Sequence, residues 1–268
     1  MPTYTLTAIT IGSFNLGESD KILTLFSAER GLVRAVAKGA RKPGAKISGR
    51  SDVLNVNKLL LATGKSLDII TQAESVQTFP ALRQDLVRLS YCLYYAELTQ
   101  HFGQGLADES DSYLQFFTDS LRLQAEKRGE ASMLCLEFEL HLLQTLGYKP
   151  EIDYCVVCRT PLTEYLLAAF HYDLGGIVCD RCFNSRRQYV REGRHSDSDA
   201  MQGSGRTHVT PLVWKRLILA GQRLTPEQTS EPGQNMIRAN QAARRIVQGY
   251  IEHRAGRRMK SLDLIASM

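Results

Sequence analysis

The sequence has no apolar run near the roughly 20 residues that a membrane-spanning helix requires, and stretches such as Leu59–Ala62 and Tyr165–Phe170 are short. The opening residues, MPTYTLTAIT, lack the basic segment and the apolar stretch of about 7–15 residues that mark a secretory signal. Cysteines number only six in 268 residues, and a chain of this length can bury a core without a disulfide framework. These absences predict a cytosolic protein that is neither secreted nor embedded in a membrane.

The signatures of common enzymes are also missing. Gly64-Lys65-Ser66 resembles the end of a phosphate-binding loop, but the glycine that the pattern requires five residues earlier is replaced by Leu59. No GxSxG, HExxH or EF-hand pattern occurs. Glu137 and Glu139 point to nearly opposite sides of a predicted helix, so they do not form an acid–base pair. The sequence therefore nominates no catalytic residue.

The net charge of +5 is unevenly distributed. Arg30–Arg50 carries +7, Arg181–Arg194 carries +4 and Arg238–Lys260 carries +6. Because these blocks total +17, the rest of the chain sums to −12. Any single block is compatible with an ordinary solvated face, but three blocks on an acidic background predict a polyanionic partner, and we expect nucleic acid.

Short strand-like segments separated by turn residues fill the first 80 residues or so. Five such strands without a helical pattern between them predict a small closed or half-closed barrel. The longest connection, Gly39–Gly49, is rich in glycine and cations, so it can approach a phosphate chain closely. The predicted strands are Tyr4–Ile11, Lys21–Phe26, Leu32–Lys38, Asp52–Ala62 and Ser66–Ala73, and the predicted DNA-binding residues are Arg34, Lys38, Arg41, Lys42, Lys46 and Arg50.

Helical periodicity begins after Phe79, where leucines recur at three- and four-residue spacing. Further on, Thr210 is a good N-cap with Pro211 at the first helical position, and we expect that helix to end just before Gly221. The polar segment Gly193–His208 is predicted to be a loop. The other predicted helices are Tyr113–Ala125, Glu130–Leu146 and the amphipathic Gln234–Ala255, which ends at Gly256.

Four of the six cysteines form two CxxC pairs, Cys155/Cys158 and Cys179/Cys182, separated by 20 residues. This spacing is typical of a two-knuckle zinc ribbon, in which each pair binds one side of a tetrahedral ion. Disulfides are the alternative, but they are rare in the cytosol. We therefore predict one structural Zn²⁺. Cys92 and Cys135 are expected to be inert core residues, and His171, inside the insert, is expected to be a surface residue rather than a ligand.

Several strings, taken together and in order, resemble the RecO family of bacterial recombination mediators. They are Gly17-Glu18-Ser19-Asp20-Lys21 with Ile22 to Phe26, Ala37-Lys38-Gly39-Ala40-Arg41-Lys42, Leu146-Gly147-Tyr148-Lys149-Pro150, Asp153 to Cys158, Gly175-Gly176 before Cys179 and Cys182, and Tyr250 through Lys260-Ser261. The chain departs from the family at Arg159, because the family often has glycine directly after the second cysteine.

The resemblance implies an α+β multidomain protein with an OB-fold β-barrel, a helical domain and an embedded zinc ribbon. The corresponding boundaries are an OB-fold nucleic-acid-binding domain over residues 1–78, a helical domain in two parts over 79–150 and 193–268, and the zinc ribbon over 151–192. It also implies a cytoplasmic, nucleoid-associated protein with no enzymatic activity. Its function would be to bind single- and double-stranded DNA, anneal complementary strands and, with RecR, help load RecA onto strands coated by SSB.

Two other classes remain open from the residues alone. The protein could be a zinc-ribbon RNA-binding or transcription-associated factor whose barrel is a scaffold. It could also be a nucleic-acid-modifying enzyme that uses carboxylates in no recognisable motif.

Overall fold

The computed structural model describes residues 2–191, 206–222 and 233–261. The chain divides into two compact units, one comprising Met1–Ala131 with the C-terminal segment from Met259, and the other comprising Ser132–Arg258. Within the described ranges, no helix is both long enough and apolar enough to cross a membrane.

The first unit contains a closed five-stranded barrel, as the sequence predicted. Its elements are β1 Thr3–Leu16, β2 Asp20–Ser27, β3 Gly31–Ala37, α1 Lys46–Arg50, β4 Val56–Ala62 and β5 Asp68–Gln77. The strand order is β1-β2-β3-β5-β4, and the short helix α1 lies between β3 and β4. Neighbouring strands are antiparallel except for β3 and β5, which pair in parallel, and β4 closes the barrel against β1.

Alternate residues of the strands fill the barrel interior, because successive side chains of a strand point to opposite faces. Leu23 of β2, for example, pairs with Ala35 of β3, and both are buried in the core. Ile47 of α1 packs against the same core. The buried cluster comprises Leu6, Ala8, Leu23, Leu25, Ala35, Ala37, Ala40, Leu59, Leu61 and Ile70.

Several strand boundaries differ from the prediction. The register of β1 shifts between Thr10 and Gly12, and this bulge lets the strand continue to Leu16, whereas Gly12 was expected to break it. Strand β4 begins at Val56 instead of Asp52, and β5 continues to Gln77 because its end pairs with Val56. The basic connection, predicted as a loop, ends in α1.

Helices pack on part of the outer surface of the barrel. The ring of Phe26 contacts Tyr113 edge-on at a centroid distance of 5.3 Å, and Leu32 lies so close to Gly103 that a Cβ there would be 2.6 Å from the leucine side chain. The helices of this unit are α2 Leu86–Phe102, α3 Ser110–Ala125 and the 3₁₀ turns Pro80–Gln84 and Gly103–Glu109.

The C-terminal segment of the first unit is attached to α2 by hydrogen bonds from its backbone to the side chain of Glu97. The N–H groups of Lys260 and Ser261 donate to the two carboxylate oxygens of Glu97 at 2.9 and 2.8 Å. Glu97 therefore holds a residue 164 positions away in the sequence.

The second unit combines helices with a small three-stranded sheet. Its elements are α4 Ala131–Thr145, β6 Leu167–His171, β7 Gly176–Cys179, α5 Asp180–Arg191, β8 Arg206–His208, α6 Pro211–Gly221 and α7 Gln234–Ala255. The strand order of the sheet is β7-β6-β8. Thr210 accepts a hydrogen bond from the N–H of Val213 and so caps α6, as predicted. That helix includes Gly221, one residue more than expected, and α7 is followed by Gly256 in a left-handed conformation.

Strand β8 corrects the prediction of a loop over Gly193–His208. Its three residues pair antiparallel with β6, from Ala169 opposite His208 to His171 opposite Arg206. Residues 193–205 of the predicted loop lie outside the described residues.

Candidate metal centre and nucleic-acid interface

The structure brings together the four cysteines that the sequence selected as metal ligands. Cys155 and Cys158 lie in the turn that precedes the β6–β7 hairpin, Cys179 is the last residue of β7, and Cys182 lies in the first turn of α5. Their four sulfur atoms all lie within 4.8 Å of one another. The second pair thus straddles a strand–helix junction.

Backbone hydrogen bonds fold the first pair into a tight turn. The N–H of Cys155 donates to the carbonyl of Thr160, and the N–H of Arg159 donates to the carbonyl of Cys155, both at 2.9 Å. Arg159 has φ of 59°, a left-handed conformation that favours glycine. The departure from the family pattern therefore falls at a position where glycine is the least strained residue.

The sulfur geometry fits a four-coordinate thiolate site. A tetrahedral site with metal–sulfur bonds of about 2.3 Å has sulfur–sulfur distances of about 3.8 Å. The Sγ atoms of Cys158 and Cys179 are 3.7 Å apart, far longer than a disulfide bond of about 2.05 Å. The N–H of Cys179 also donates to Sγ of Cys155 at 3.3 Å, a contact that stabilises a thiolate.

The protonation chemistry of the cluster points the same way. Hydrogen bonds with Thr160 lower the pKa of Cys158 to about 6. Burial raises the pKa of Cys179, hydrogen bonds with Cys182 lower it, and hydrogen bonds with Cys155 and Cys158 raise it. Burial also raises the pKa of Cys182, and hydrogen bonds with Cys158 and Cys179 raise it further. Four thiolates alone would repel one another, so full deprotonation of this cluster requires a cation at its centre. With four protein ligands such a centre is closed to substrate.

Two cysteines and one histidine outside the cluster were also assigned from the sequence. Cys92 in α2 and Cys135 in α4 are fully buried, as predicted, and burial raises the pKa of Cys92. The predicted surface position of His171 is wrong, because the residue is only 1% exposed, whereas the metal-ligand cluster consists of the four cysteines without it, as expected. His171 belongs to β6, the middle strand of the sheet, which has β7 on one side and β8 on the other. The sequence around His171 does not show that β8 pairs with this strand.

The structure places the six predicted DNA-binding residues on the barrel domain. Arg34 is exposed on β3, Lys38, Arg41 and Lys42 follow it in the connection, and Lys46 and Arg50 lie on α1. Five of them are exposed, whereas Arg50 is half-buried. Lys46 and Arg50 are four residues apart and so share one face of α1.

The connection that carries these cations is tied to the turn between β1 and β2. The carboxylate of Asp20 accepts the N–H of Gly39 and the hydroxyl of Ser19, both at 2.8 Å. Arg41 donates its backbone N–H to the carbonyl of Ser19 at 2.9 Å and its guanidinium to the carbonyl of Gly17 at 2.8 Å. The hydrogen bond from Gly39 lowers the pKa of Asp20, and Lys38 and Lys42 lower it further.

The role of Asp20 was missed by sequence reasoning. An acidic residue outside a basic block gives no signal of a contact with it. Its position in the string Gly17-Glu18-Ser19-Asp20-Lys21, which carries the family resemblance, was the only hint.

Comparison with known proteins agrees with this architecture. Residues 1–79 match the family model described as recombination protein O N terminal, and residues 83–195 match the model of its C-terminal part. A DNA repair protein RecO from Gloeobacter violaceus is 40% identical over 225 residues, which cover 83% of this chain and 85% of the relative. The DNA repair protein RecO from Nostoc sp. is 30% identical over 99% of this chain and 96% of its own length. The chain therefore belongs to the RecO family of DNA repair and recombination proteins.

Proposed function

We propose that this protein is a recombination mediator that binds single- and double-stranded DNA and anneals complementary strands. In this proposal it acts with RecR to help load RecA onto single strands coated by SSB, in the cytoplasm and at the nucleoid. The observation that carries the proposal is the basic connection on a closed barrel, held in place by Asp20.

The chemistry of that connection suits a phosphate backbone. Lys38, Lys42 and Lys46 are exposed cations within nine residues, and no acidic residue lies between Arg30 and Arg50. Cations that contact phosphates release counterions and bind all sequences alike. Annealing is energetically downhill, so it requires neutralised charge and no nucleotide hydrolysis.

The four-cysteine cluster is proposed to hold one structural Zn²⁺. Cys155, Cys158, Cys179 and Cys182 would supply all four ligands, and the ion would stabilise the fold of its module. We also propose that the chain is organised in four segments, with boundaries after residues 78, 150 and 192.

Salt dependence of DNA binding tests the role of the basic connection. Each phosphate contact on a single strand contributes about −0.7 to the slope of log affinity against log salt. Replacement of Lys38, Lys42 and Lys46 by alanine together is expected to flatten this slope by about two and to weaken binding to all sequences similarly. The matched control is Lys58→Ala with Lys65→Ala, because both lysines are exposed on the same barrel outside the basic block.

The outcome separates the proposal from its alternatives. Unchanged affinity and slope in the triple variant would show that this connection does not bind DNA. The mediator activity itself is tested by annealing of SSB-coated complementary strands without ATP. Binding of RNA in strong preference to DNA, with no annealing, would favour an RNA-binding or transcription-associated factor instead.

A further inference from the structure

The outer surface of the barrel carries a row of apolar side chains across four strands. Phe14 of β1 pairs with Ile22 of β2, Ile22 pairs with Val36 of β3, and Val36 pairs with Ile69 of β5. Residues directly opposite each other in a sheet point to the same face. The neighbouring positions Leu23 and Ala35 face the core, so this row faces outwards.

The described residues of the first unit cover only part of this outer surface. Four residue pairs further along β2 and β3, Phe26 lies opposite Leu32, and these two side chains pack against α3 and the Gly103–Glu109 turn. At the row itself the burial is much lower. The side chain of Phe14 is 53% exposed, and Ile22 and Val36 are half-buried.

Cations lie on both sides of the row along β3. Arg34 precedes Val36 by two residues and shares its outward face, and Lys38 follows Val36 by two residues just beyond the strand. Residues two apart in a strand are separated by about 6.6 Å. The apolar row therefore lies between two exposed cations, an arrangement complementary to unpaired bases attached to a phosphate chain.

We propose that Phe14 is a base-stacking residue, that Ile22 and Val36 extend its apolar surface, and that this face makes the barrel prefer single-stranded over duplex DNA. The inference rests on the proposed DNA-binding function. It adds that the barrel distinguishes single-stranded from duplex DNA by contacting unpaired bases. Unpaired bases can stack on an aromatic ring, whereas the bases of a duplex are already stacked inside the helix.

The test compares Phe14→Ala with the wild-type full-length protein by fluorescence anisotropy, using a single-stranded oligonucleotide and its duplex. The expected result is a loss of single-strand affinity of about fivefold or more, because base–aromatic stacking is of that order. Affinity for the duplex should change by less than about twofold, and the salt slope should not change because no phosphate contact is lost.

Two controls keep the result specific. Phe14→Tyr retains the ring and should retain most of the single-strand affinity. Val76→Ala removes another exposed apolar side chain of the barrel, 59% exposed on β5 away from the row, and should have no effect. Thermal unfolding of Phe14→Ala should match the wild type because the side chain is largely in solvent.

The possible outcomes separate this inference from the proposed function. If Phe14→Ala binds single strands normally while the triple lysine variant loses affinity, the stacking role is wrong and the DNA-binding function stands. If neither variant loses affinity, the stacking role is wrong and the basic connection is not the DNA-binding surface either, while the mediator activity is decided separately by the annealing test. An equal loss for single strands and duplex would overturn the stacking role. Normal DNA binding with lost binding to SSB would assign the face to a protein instead and also overturn it.

Discussion

The carboxylate of Asp20, at the start of β2, accepts the backbone N–H of Gly39 at 2.8 Å. Gly39 has φ of +68°, so the chain turns here in a conformation that only glycine adopts easily. The contact joins the β1–β2 turn to the basic connection and orients the cations that follow.

Removal of this carboxylate should loosen the basic connection. In Asp20→Ala we expect faster tryptic cleavage after Lys38 and Arg41, because the backbone N–H of Gly39 loses its acceptor. The matched control is Glu18→Ala, which removes an exposed acid of the same turn. Equal cleavage rates in wild type and Asp20→Ala, measured by mass spectrometry of the fragments, would show that this hydrogen bond does not order the connection.

The same hydrogen bond predicts a pH dependence. It lowers the pKa of Asp20, so its stabilising effect is fully present above the ordinary aspartate value of about 3.9 and is lost as the pH falls through the lower folded value. The amide chemical shift of Gly39, followed by NMR, should therefore titrate with a midpoint below about 3.9. A midpoint at or above that value would contradict the assigned contact.

Zinc content tests the four-cysteine cluster. Purified protein should contain about one Zn²⁺ per chain, and Cys155→Ser or Cys179→Ser should lower the zinc content, the soluble yield and the melting temperature, because metal binding and local folding are coupled. Cys92→Ala is the control, because Cys92 lies in α2 and its replacement should leave the zinc content unchanged. A well-folded sample prepared without chelator and containing no zinc would refute the prediction.

The left-handed conformation of Arg159 should make glycine more favourable there. An L-residue in this region costs roughly 1–2 kcal/mol, and glycine costs about 0.5–1 kcal/mol in unfolded-chain entropy. Arg159→Gly is therefore expected to stabilise the metal-loaded protein by up to about 1 kcal/mol in denaturant unfolding, with unchanged zinc content. Arg159→Ala also loses the 3.8 Å ion pair with Glu151 but keeps a Cβ, so it should give no gain.

The ion pair between Glu139 and Arg244 should contribute to the stability of the second unit. Glu139 of α4 is fully buried, and one of its oxygens lies 4.0 Å from a guanidinium nitrogen of Arg244 on α7. Removal of one partner of a buried pair typically costs about 3–5 kcal/mol, whereas apolar replacement of both is often nearly neutral. Urea unfolding should show that loss in Glu139→Leu and its partial recovery when Arg244→Met is added. A loss below about 1 kcal/mol in the single variant would contradict this account.

The sequence alone determined the features that depend on residues close to one another along the chain. Strand-forming residues located β2 and β3 nearly to their ends, because each segment is bounded by turn residues close to it in the sequence. Thr210 and Pro211 marked the start of α6, because an N-cap residue followed by proline is a signal contained in two adjacent residues. The spacing of the four cysteines predicted their assembly, because each CxxC pair reaches one side of an ion by local geometry alone.

Only the tertiary structure decided the features that join distant residues. The bulge that lengthens β1 depends on pairing with β2, and the burial of His171 depends on β8, more than 30 residues away in the chain. The hydrogen bond from Gly39 to Asp20 spans 19 positions, and no local pattern encodes it. The outward-facing apolar row that begins at Phe14 likewise depends on the register between strands. The sequence of one strand shows which of its residues share a face, but not which residues of the neighbouring strands lie beside them.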